Sequence, residues 1–268
     1  VSTFDEEFLQ VPEEIIVDAM LMHQRYFPLY DANHKLTNKF IIVSNGNPAC
    51  AATIIDGNER VVRARLDDAK FFYEEDLKNP LEYYVEKLDS VVFQESLGTV
   101  RQKAERLEKL ACALSADAQL DAADAADAKR AARLCKADLV TNAVIEFTSV
   151  QGVMGSYYAA ASGETPQVAQ AIGQHYQPRF AGDALPDTTV GQLVALADKL
   201  DTICGLFAVG QGPTGSSDPF ALRRSAIGIV NMLEAGLPIS LAAAIDESLA
   251  SFAAQGVAFD AAAVRAEV

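Results

Sequence analysis

The sequence predicts a mainly α-helical chain, in which a small α+β segment containing a β-hairpin precedes an all-helical region. Near the N-terminus, two short β-type segments flank a turn-rich tetrapeptide, whereas beyond Pro80 apolar residues recur almost everywhere at helical spacing. Half of the 268 residues are hydrophobic and 22% are charged, which is typical of a packed globular protein. A chain of this length predicts about two domains.

The charge balance restricts the classes of partner. Lys and Arg number 22 against 37 Asp and Glu, so the net charge is −15 and opposes non-specific attraction to DNA, RNA or an anionic membrane. Any RNA contact must therefore come from local basic patches. The acidic N-terminus and the lack of a long apolar run indicate neither a secretory signal nor a membrane span. The four cysteines have neither zinc-ligand nor Cys-x-x-Cys spacing, so we expect reduced thiols in a cytoplasmic protein.

The front of the chain carries the α+β pattern. Pro12 suits the first turn of a helix over Glu13–Met22. The segments Arg25–Tyr30 and Lys39–Val43 predict two strands, which the turn-forming Asp31–His34 joins into a hairpin.

A helix follows from Asp56 and carries three arginines near its start before acidic residues accumulate towards Asp76. Asn79-Pro80 ends this helix, since the residue before proline disfavours helical geometry. We therefore place the small α+β segment at residues 1–79, an all-helical domain at 80–215, and a helical segment leading towards a next domain at 216–268.

Helices are predicted throughout the rest. Thr99 suits an N-cap, and the Ala/Asp-rich tract Ser115–Ala128 predicts a surface connector or a weakly packed helix. Gly163 with Pro166 marks a turn. The further helices expected are Val100–Leu114, Leu134–Phe147, Ser156–Ala161, Val190–Val209, and one that begins at Asp218-Pro219 and stops before Gly236.

The glycine-rich string Gly210–Ser217 is the feature most suggestive of a nucleotide site. Gly210 and Gly215 have the spacing of a phosphate-binding loop, but Ser216 stands where such a loop needs lysine, and the preceding apolar run belongs to a helix. We interpret the string as a loop between helices.

Two other sets of residues invite a catalytic interpretation. His23, His34 and His175 lie too far apart for metal-ligand spacing, and His175 fits a helix end or an interface better than a ligand. Asp198 and Asp201 are three apart and so share one face of an apolar helix. They are either solvated acids or partners for arginine, or else they line a polar pocket.

Several strings, taken in order, resemble the β-subunit family of bacterial heterotetrameric glycyl-tRNA synthetases. The strings are His23–Tyr30, Gly57–Phe72, Phe93–Thr99, Lys136–Thr141, Glu146–Gly155, Tyr176–Phe180 and Asp218–Arg224. The resemblance implies that the chain is a middle portion of a longer subunit. It also implies that the helical part is similar to an HD domain, the all-α fold of metal-dependent phosphohydrolases, with Asp198 at the position of that fold's last metal-binding aspartate.

The His-Asp dipeptide that defines an HD site is missing, because Gln, Lys and Tyr follow the three histidines. The resemblance therefore implies a scaffold without catalytic residues or a metal site, in which His175, Asp198 and Asp201 are relict positions. In the family, glycine activation with ATP and Mg²⁺ is assigned to the α subunit, while β engages tRNA(Gly) and holds the assembly together.

The basic residues expected to be available to tRNA phosphates are Arg60, Arg63, Arg65, Lys136, Arg179, Arg223 and Arg224. For each of them an ion pair within the chain is the competing interpretation. Two other functions stay open. One is an HD-type metal-dependent phosphohydrolase with an atypical ligand set of His175, Asp198, Asp201 and Glu146, and the other is a helical adaptor that makes no RNA contact.

Overall fold

The computed structural model describes the backbone of residues 1–268 and every side chain except that of His23. It is mainly α-helical, which confirms the predicted fold class. The α-helices are α1 (Glu13–Gln24), α2 (Ala51–Asp76), α3 (Leu81–Lys87), α4 (Val100–Leu114), α5 (Ala122–Leu134), α6 (Asn142–Glu146), α7 (Val153–Ala161), α8 (Pro166–Gln174), α9 (Thr189–Ala208), α10 (Leu222–Glu234), α11 (Leu241–Gln255) and α12 (Ala261–Glu267). The strands are β1 (Ser2–Thr3), β2 (Phe27–Tyr30), β3 (Leu36–Ile41), β4 (Val92–Gln94) and β5 (Gly98–Thr99).

The chain forms two compact units. Unit 1 comprises Val1–Asn79 and Leu139–Met154, and unit 2 comprises Pro80–Asp138 and Gly155–Val268. The first border falls beside the predicted break at Pro80, but residues 139–154 return to unit 1. None of the described helices is both long enough and apolar enough to cross a membrane.

Unit 1 contains the predicted hairpin as part of a three-stranded antiparallel sheet in the order β1-β3-β2. Phe40 of β3 is fully buried, and the rings of Phe4 and Tyr26 lie 6.4 and 5.3 Å from its ring. Strand β3 begins three residues earlier than predicted, because the Asp31 carboxylate accepts hydrogen bonds from the Asn33 and Lys35 amides and so closes the turn sooner.

The helix predicted over Leu134–Phe147 is wrong. Helix α5 ends at Leu134, and the chain then forms a 3₁₀ turn and the short α6. Asp76, at the end of α2, accepts hydrogen bonds from the Asn142 and Ala143 amides at the start of α6. This long-range carboxylate holds the segment in unit 1, which no local pattern could reveal.

Unit 2 is organised around α9. Its N-cap is Thr188, whose hydroxyl accepts a hydrogen bond from the Gly191 amide. Helix α9 packs against α4, α5, α8, α10, α11 and α12, so residues on nearly all its sides are buried. Its polar residues Asp198, Lys199 and Asp201 are therefore buried as well, and they must find partners inside the protein.

Helices α4 and α5 flank α9. Thr99 and Gln102 form a capping box at the start of α4, which confirms the predicted cap. The second half of the Ala/Asp-rich tract belongs to α5, where Ala128, Ala131 and Ala132 are buried and their small side chains allow close packing.

The start of α10 differs from the expected position. Helix α10 begins at Leu222 rather than at Asp218-Pro219, although the Asp218 carboxylate still accepts hydrogen bonds from the first amides of the helix. Helices α10 to α12 pack on α9 within unit 2. The turn expected at Gly163 and Pro166 is present between α7 and α8, and Gly163 adopts a positive φ of 82° in it. Helix α8 itself, which begins at Pro166 with Thr165 as N-cap, was not predicted.

Candidate functional site

The three residues expected to be relict HD positions, His175, Asp198 and Asp201, meet in a buried cluster of charged side chains in unit 2. Asp198 and Asp201 lie one helical turn apart on α9, as the sequence predicts. They contact cations from α4 and from the segment after α5, and His175 follows α8 directly. We call Lys103, Arg106, Lys136, His175, Asp198 and Asp201 the buried ionic cluster.

The ammonium group of Lys136 lies between the imidazole and a carboxylate. Its Nζ donates hydrogen bonds to Asp198 Oδ2 at 2.7 Å and to His175 Nε2 at 2.9 Å. The third side of the ammonium faces the ring of Tyr176, whose centroid is 4.0 Å away. The Lys136 side chain is only 5% exposed, so these three neighbours replace water as its surroundings.

The hydrogen bonds of His175 define its tautomer. Nδ1 lies 2.6 Å from the carbonyl oxygen of Ile172, to which it must donate, so Nε2 carries the lone pair that accepts from Lys136. Burial, together with the Lys136 charge, holds the pKa of His175 well below its ordinary value. The imidazole is therefore neutral at physiological pH, and its Nε2 lone pair already accepts the hydrogen bond from Lys136.

Lys103 and Arg106 complete the cluster from α4. Lys103 Nζ donates to Asp201 Oδ2 at 2.9 Å and to the Thr202 hydroxyl at 2.8 Å, and it also lies 3.1 Å from Asp198 Oδ1. The Arg106 guanidinium binds both oxygens of Asp201, at 2.7 and 3.1 Å, in the two-point geometry that favours arginine. Asp201 is therefore an ion-pair partner for arginine, one of the three alternatives left open by the sequence.

The surrounding cations keep Asp198 ionised. Burial by itself raises the pKa of this carboxyl, but the charges of Lys136 and Lys103 outweigh that effect and hold the pKa below its ordinary value. The neighbouring Cys135 thiol behaves differently, since burial raises its pKa to about 12. That thiol is consequently protonated and a poor nucleophile.

Lys199 points to the other side of α9, where it is also buried. Its Nζ donates to three successive carbonyl oxygens, those of His175, Tyr176 and Gln177, at 3.4, 3.3 and 2.7 Å. Burial lowers its pKa to about 8. Lys199 thus fixes the loop that leads from the buried ionic cluster to Arg179.

The donor set does not fit the metal ion that an HD fold implies. Lys136 Nζ is within hydrogen-bond distance of both His175 and Asp198, so an ammonium already neutralises the pair that would ligate a cation. Asp201 is bound on both oxygens by Arg106. Glu146, the fourth member of the atypical ligand set, lies in unit 1 and is ion-paired with Arg65. Among the described residues, no group of three or more His, Cys, Asp or Glu side chains is placed to hold a metal.

The candidate RNA-binding residues lie in different environments. The expectation that Lys136 is available to tRNA phosphates is corrected. This residue is buried, and its ammonium is bound to Asp198 and His175 and is not exposed at the surface. The three arginines of α2 are in unit 1 and each forms an ion pair: Arg60 with Asp56, Arg63 with Asp5 and Arg65 with Glu146, at 2.7, 3.2 and 3.1 Å.

Arg179, Arg223 and Arg224 are exposed in unit 2 and lie near one another. A guanidinium nitrogen of Arg224 donates to the carbonyl oxygen of Arg179 at 3.2 Å. The string Gly210–Ser217 runs between α9 and α10, which confirms the loop interpretation.

Sequence reasoning missed Lys103, Arg106 and Lys199 as members of this site. For the first two a sequence pattern existed: Lys103 lies between Val100 and Leu107 at the spacing of the buried stripe of α4, and Arg106 adjoins it. A cation at a core position of an amphipathic helix must be paired, so the pattern indicated a buried anion. It could not indicate which one.

Comparisons with known proteins cover nearly the whole chain. A family model described as "Glycyl-tRNA synthetase beta subunit" matches residues 1–267. The glycine–tRNA ligase beta subunits of Mannheimia succiniciproducens and Pasteurella multocida are 50% and 51% identical to it over 94% and 93% of the chain. That of Moorella thermoacetica is 50% identical over 95% of the chain. The chain spans 36%, 36% and 37% of the lengths of these three relatives.

Proposed function

The chain belongs to the glycyl-tRNA synthetase beta subunit family, and on that premise we propose that it is a non-catalytic part of such a subunit. Its task is to support engagement of tRNA(Gly) and assembly with the catalytic α subunit for ATP-dependent glycylation. ATP and Mg²⁺ bind at the α subunit and not at this chain. The protein works in the cytoplasm, without a membrane or DNA as partner.

The observation that carries the proposal is the Lys136 ammonium between His175 and Asp198. General acid–base or metal chemistry at this position needs a free imidazole lone pair or free carboxylate oxygens. Here the lone pair and the carboxylates are engaged by cations of the chain itself, and the Lys136, Lys103 and Asp201 side chains are at most 5% exposed. The buried ionic cluster therefore links α4, α9 and the segments after α5 and α8 within unit 2 instead of serving as a reaction centre.

Contact with tRNA phosphates is best supported at α2. The side chains of Arg60 and Arg63 are 78% and 61% exposed, and surface ion pairs such as theirs contribute little stability. Exchanging Asp56 and Asp5 for phosphate oxygens therefore costs little. A helical adaptor without RNA contact is the second candidate, and the net charge of −15 favours it.

A glycylation assay tests the catalytic part of the proposal. Labelled glycine, ATP, Mg²⁺ and tRNA(Gly) are incubated with the chain alone, with the α subunit alone, and with the α subunit plus full-length β subunit. We expect glycyl-tRNA only in the last mixture. Glycyl-tRNA made by the chain alone would contradict the proposal.

A binding assay separates tRNA engagement from the adaptor function. We expect the chain to bind tRNA(Gly) with an affinity that falls steeply as salt rises, because phosphate contacts release counterions. The double variant Arg60→Ala/Arg63→Ala should bind more weakly, whereas Arg265→Ala, which removes an ion-paired surface arginine of α12, should not. Absence of salt-dependent binding would favour the adaptor.

A further inference from the structure

One edge of β3 in unit 1 is only partly paired. Strand β1 pairs with β3 through two residues, and the pair nearest the end of β3 is Ser2 with Phe40. The Phe4 amide donates to the Asn38 carbonyl oxygen at 3.0 Å. Because hydrogen-bonded pairs of an antiparallel ladder fall on every second residue, the next pair in this direction needs a partner for Ile42. Within the residues that the structure describes, the backbone of Ile42 makes no hydrogen bond, so its N–H and C=O groups are available to another strand.

A cavity of about 280 Å³ lies beside Ile42. Its apolar lining includes Ile42 and, from α2, Ile54 and Ile55. Ser2 also lines it, and this residue is only 2% exposed although its Oγ has no hydrogen-bond partner among the described residues. A buried hydroxyl that lacks a partner costs free energy. The cavity therefore suits an occupant that is mostly apolar and brings one polar group to Ser2.

The outer face of the same sheet is apolar as well. Phe27 of β2 lies opposite Ile41 of β3, and the register of β1 places Val1 opposite Ile41 on the other side. Phe27, Ile41 and Val1 are 51%, 37% and 74% exposed, and Val43, two residues beyond Ile41, is 78% exposed. Phe40 points to the inner face, where it is fully buried. An antiparallel sheet with one face in water has polar residues on that face, so this sheet has the pattern of one that is covered on both faces.

We propose that an extended segment of the β subunit from outside this chain continues the line of β1, pairs with the backbone of Ile42 and packs beside Val43. The identity of the segment rests on the proposed function, in which this chain is part of a longer subunit. The chain spans little more than a third of the length of its relatives, so most of such a subunit lies outside it. Successive side chains of a strand point to opposite faces. Those of the segment therefore alternate between the cavity, where one polar group reaches Ser2 Oγ, and the apolar outer face.

The surroundings of β1 favour a single strand over a second copy of the chain. The Thr3 amide donates to Glu59 of α2 at 2.7 Å, which closes the free edge of β1, and the opposite edge strand contains Pro28. Both features oppose edge-to-edge pairing of two sheets. The loop of residues 44–48 and the start of α2 border the cavity beside Ile42. A single strand needs only about 4.8 Å in the hydrogen-bonding direction, whereas a second copy would bring a whole sheet with its helices.

The test compares amide hydrogen exchange in this chain with that in a complete β subunit that contains it, by mass spectrometry of peptides covering residues 40–44. We expect the Ile42 amide to exchange roughly tenfold or more slowly in the complete subunit. Val43→Asp puts a charge on the apolar face and should restore fast exchange there. Since Val43 is 78% exposed, the same variant should leave the circular dichroism of the chain alone unchanged. The matched control Ile145→Asp, at an isoleucine that is 64% exposed in unit 1, should keep the slow exchange.

Equal exchange of the Ile42 amide in the chain and in the complete subunit would overturn the strand pairing. A dimer of the chain alone in sedimentation velocity, with slow exchange at Ile42 that Val43→Asp abolishes, would overturn it in favour of a second copy. Glycylation by the α subunit with the complete β subunit tests the proposed function separately. If glycyl-tRNA forms while Ile42 exchanges equally fast in both proteins, only the strand pairing is refuted. If no glycyl-tRNA forms while Ile42 is protected, the proposed function fails and the strand pairing stands.

Discussion

Replacing Lys136 by methionine tests the buried ionic cluster. Methionine keeps most of the apolar volume of the lysine stem but removes the ammonium that binds Asp198 and His175. Breaking a buried ion pair by removing one partner costs about 3–5 kcal/mol, because the other charge stays buried. Asp198 keeps Lys103 Nζ at 3.1 Å from its second oxygen, so the lower end of this range, about 3 kcal/mol, applies.

The matched control is Lys129→Met in the same unit. Lys129 pairs with Glu108 at 3.7 Å and its side chain is 53% exposed, so its loss should cost less than about 1 kcal/mol. Both variants remove one positive charge, so they have the same net charge and their stabilities can be compared directly. The free energy of unfolding is measured by urea titration with far-UV circular dichroism.

The double variant Lys136→Met/Asp198→Leu tests whether the cost of Lys136→Met comes from the unpaired carboxylate. Removing both partners should cost less than the sum of the two single changes, since no unpaired carboxylate remains. The reasoning is refuted if Lys136→Met destabilises the chain no more than Lys129→Met does.

Three further predictions concern α9. Burial raises the pKa of Asp198, but Lys136 and the other cations outweigh burial and hold this pKa below its ordinary value. The contribution of the Asp198 carboxylate to stability is therefore complete above pH ~4 and lost on acidification. The unfolding free energy of wild type should consequently fall more steeply with acid than that of Asp198→Asn. Burial lowers the pKa of Lys199 from 10.5 to about 8; the unfolded chain then binds more protons between these values, and urea titrations should show wild type gaining stability over Lys199→Met as the pH rises through that interval. A Cβ on Gly205 would lie 2.6 Å from the Phe252 ring and 2.9 Å from Leu97, so Gly205→Ala should destabilise the chain by about 1–3 kcal/mol despite the better helix propensity of alanine, and an unchanged thermal midpoint would contradict this.

Local patterns predicted those parts of the fold that local interactions determine. The capping box at Thr99 and the apolar stripe of α9 are readable within a few residues, and both elements are where the sequence places them. The helix expected over Leu134–Phe147 failed because Asp76, which lies 66 positions before Asn142, holds α6 in unit 1. Helix α8 was missed because Pro166 is at its first turn, where proline is compatible with a helix.

The candidate site shows the same division. The spacing of Asp198 and Asp201 predicted a shared helix face, and the absence of the His-Asp dipeptide indicated that an HD-type ligand set is incomplete. The partner of Asp198 could not be predicted, because Lys136 is 62 positions away and no local sequence pattern distinguishes it from an exposed lysine. Lys136, which was expected at the surface, is buried at the centre of the cluster.

The ammonium of Lys136 lies between His175 and Asp198 and engages the lone pair and the carboxylate oxygen that a metal ion would need there. The most direct test is to load the purified chain with excess Mn²⁺, separate it by gel filtration, measure its metal content, and assay it for phosphoester hydrolysis. We expect no stoichiometric manganese and no turnover. One equivalent of manganese per chain, lost in Asp198→Asn and accompanied by hydrolysis, would contradict the account.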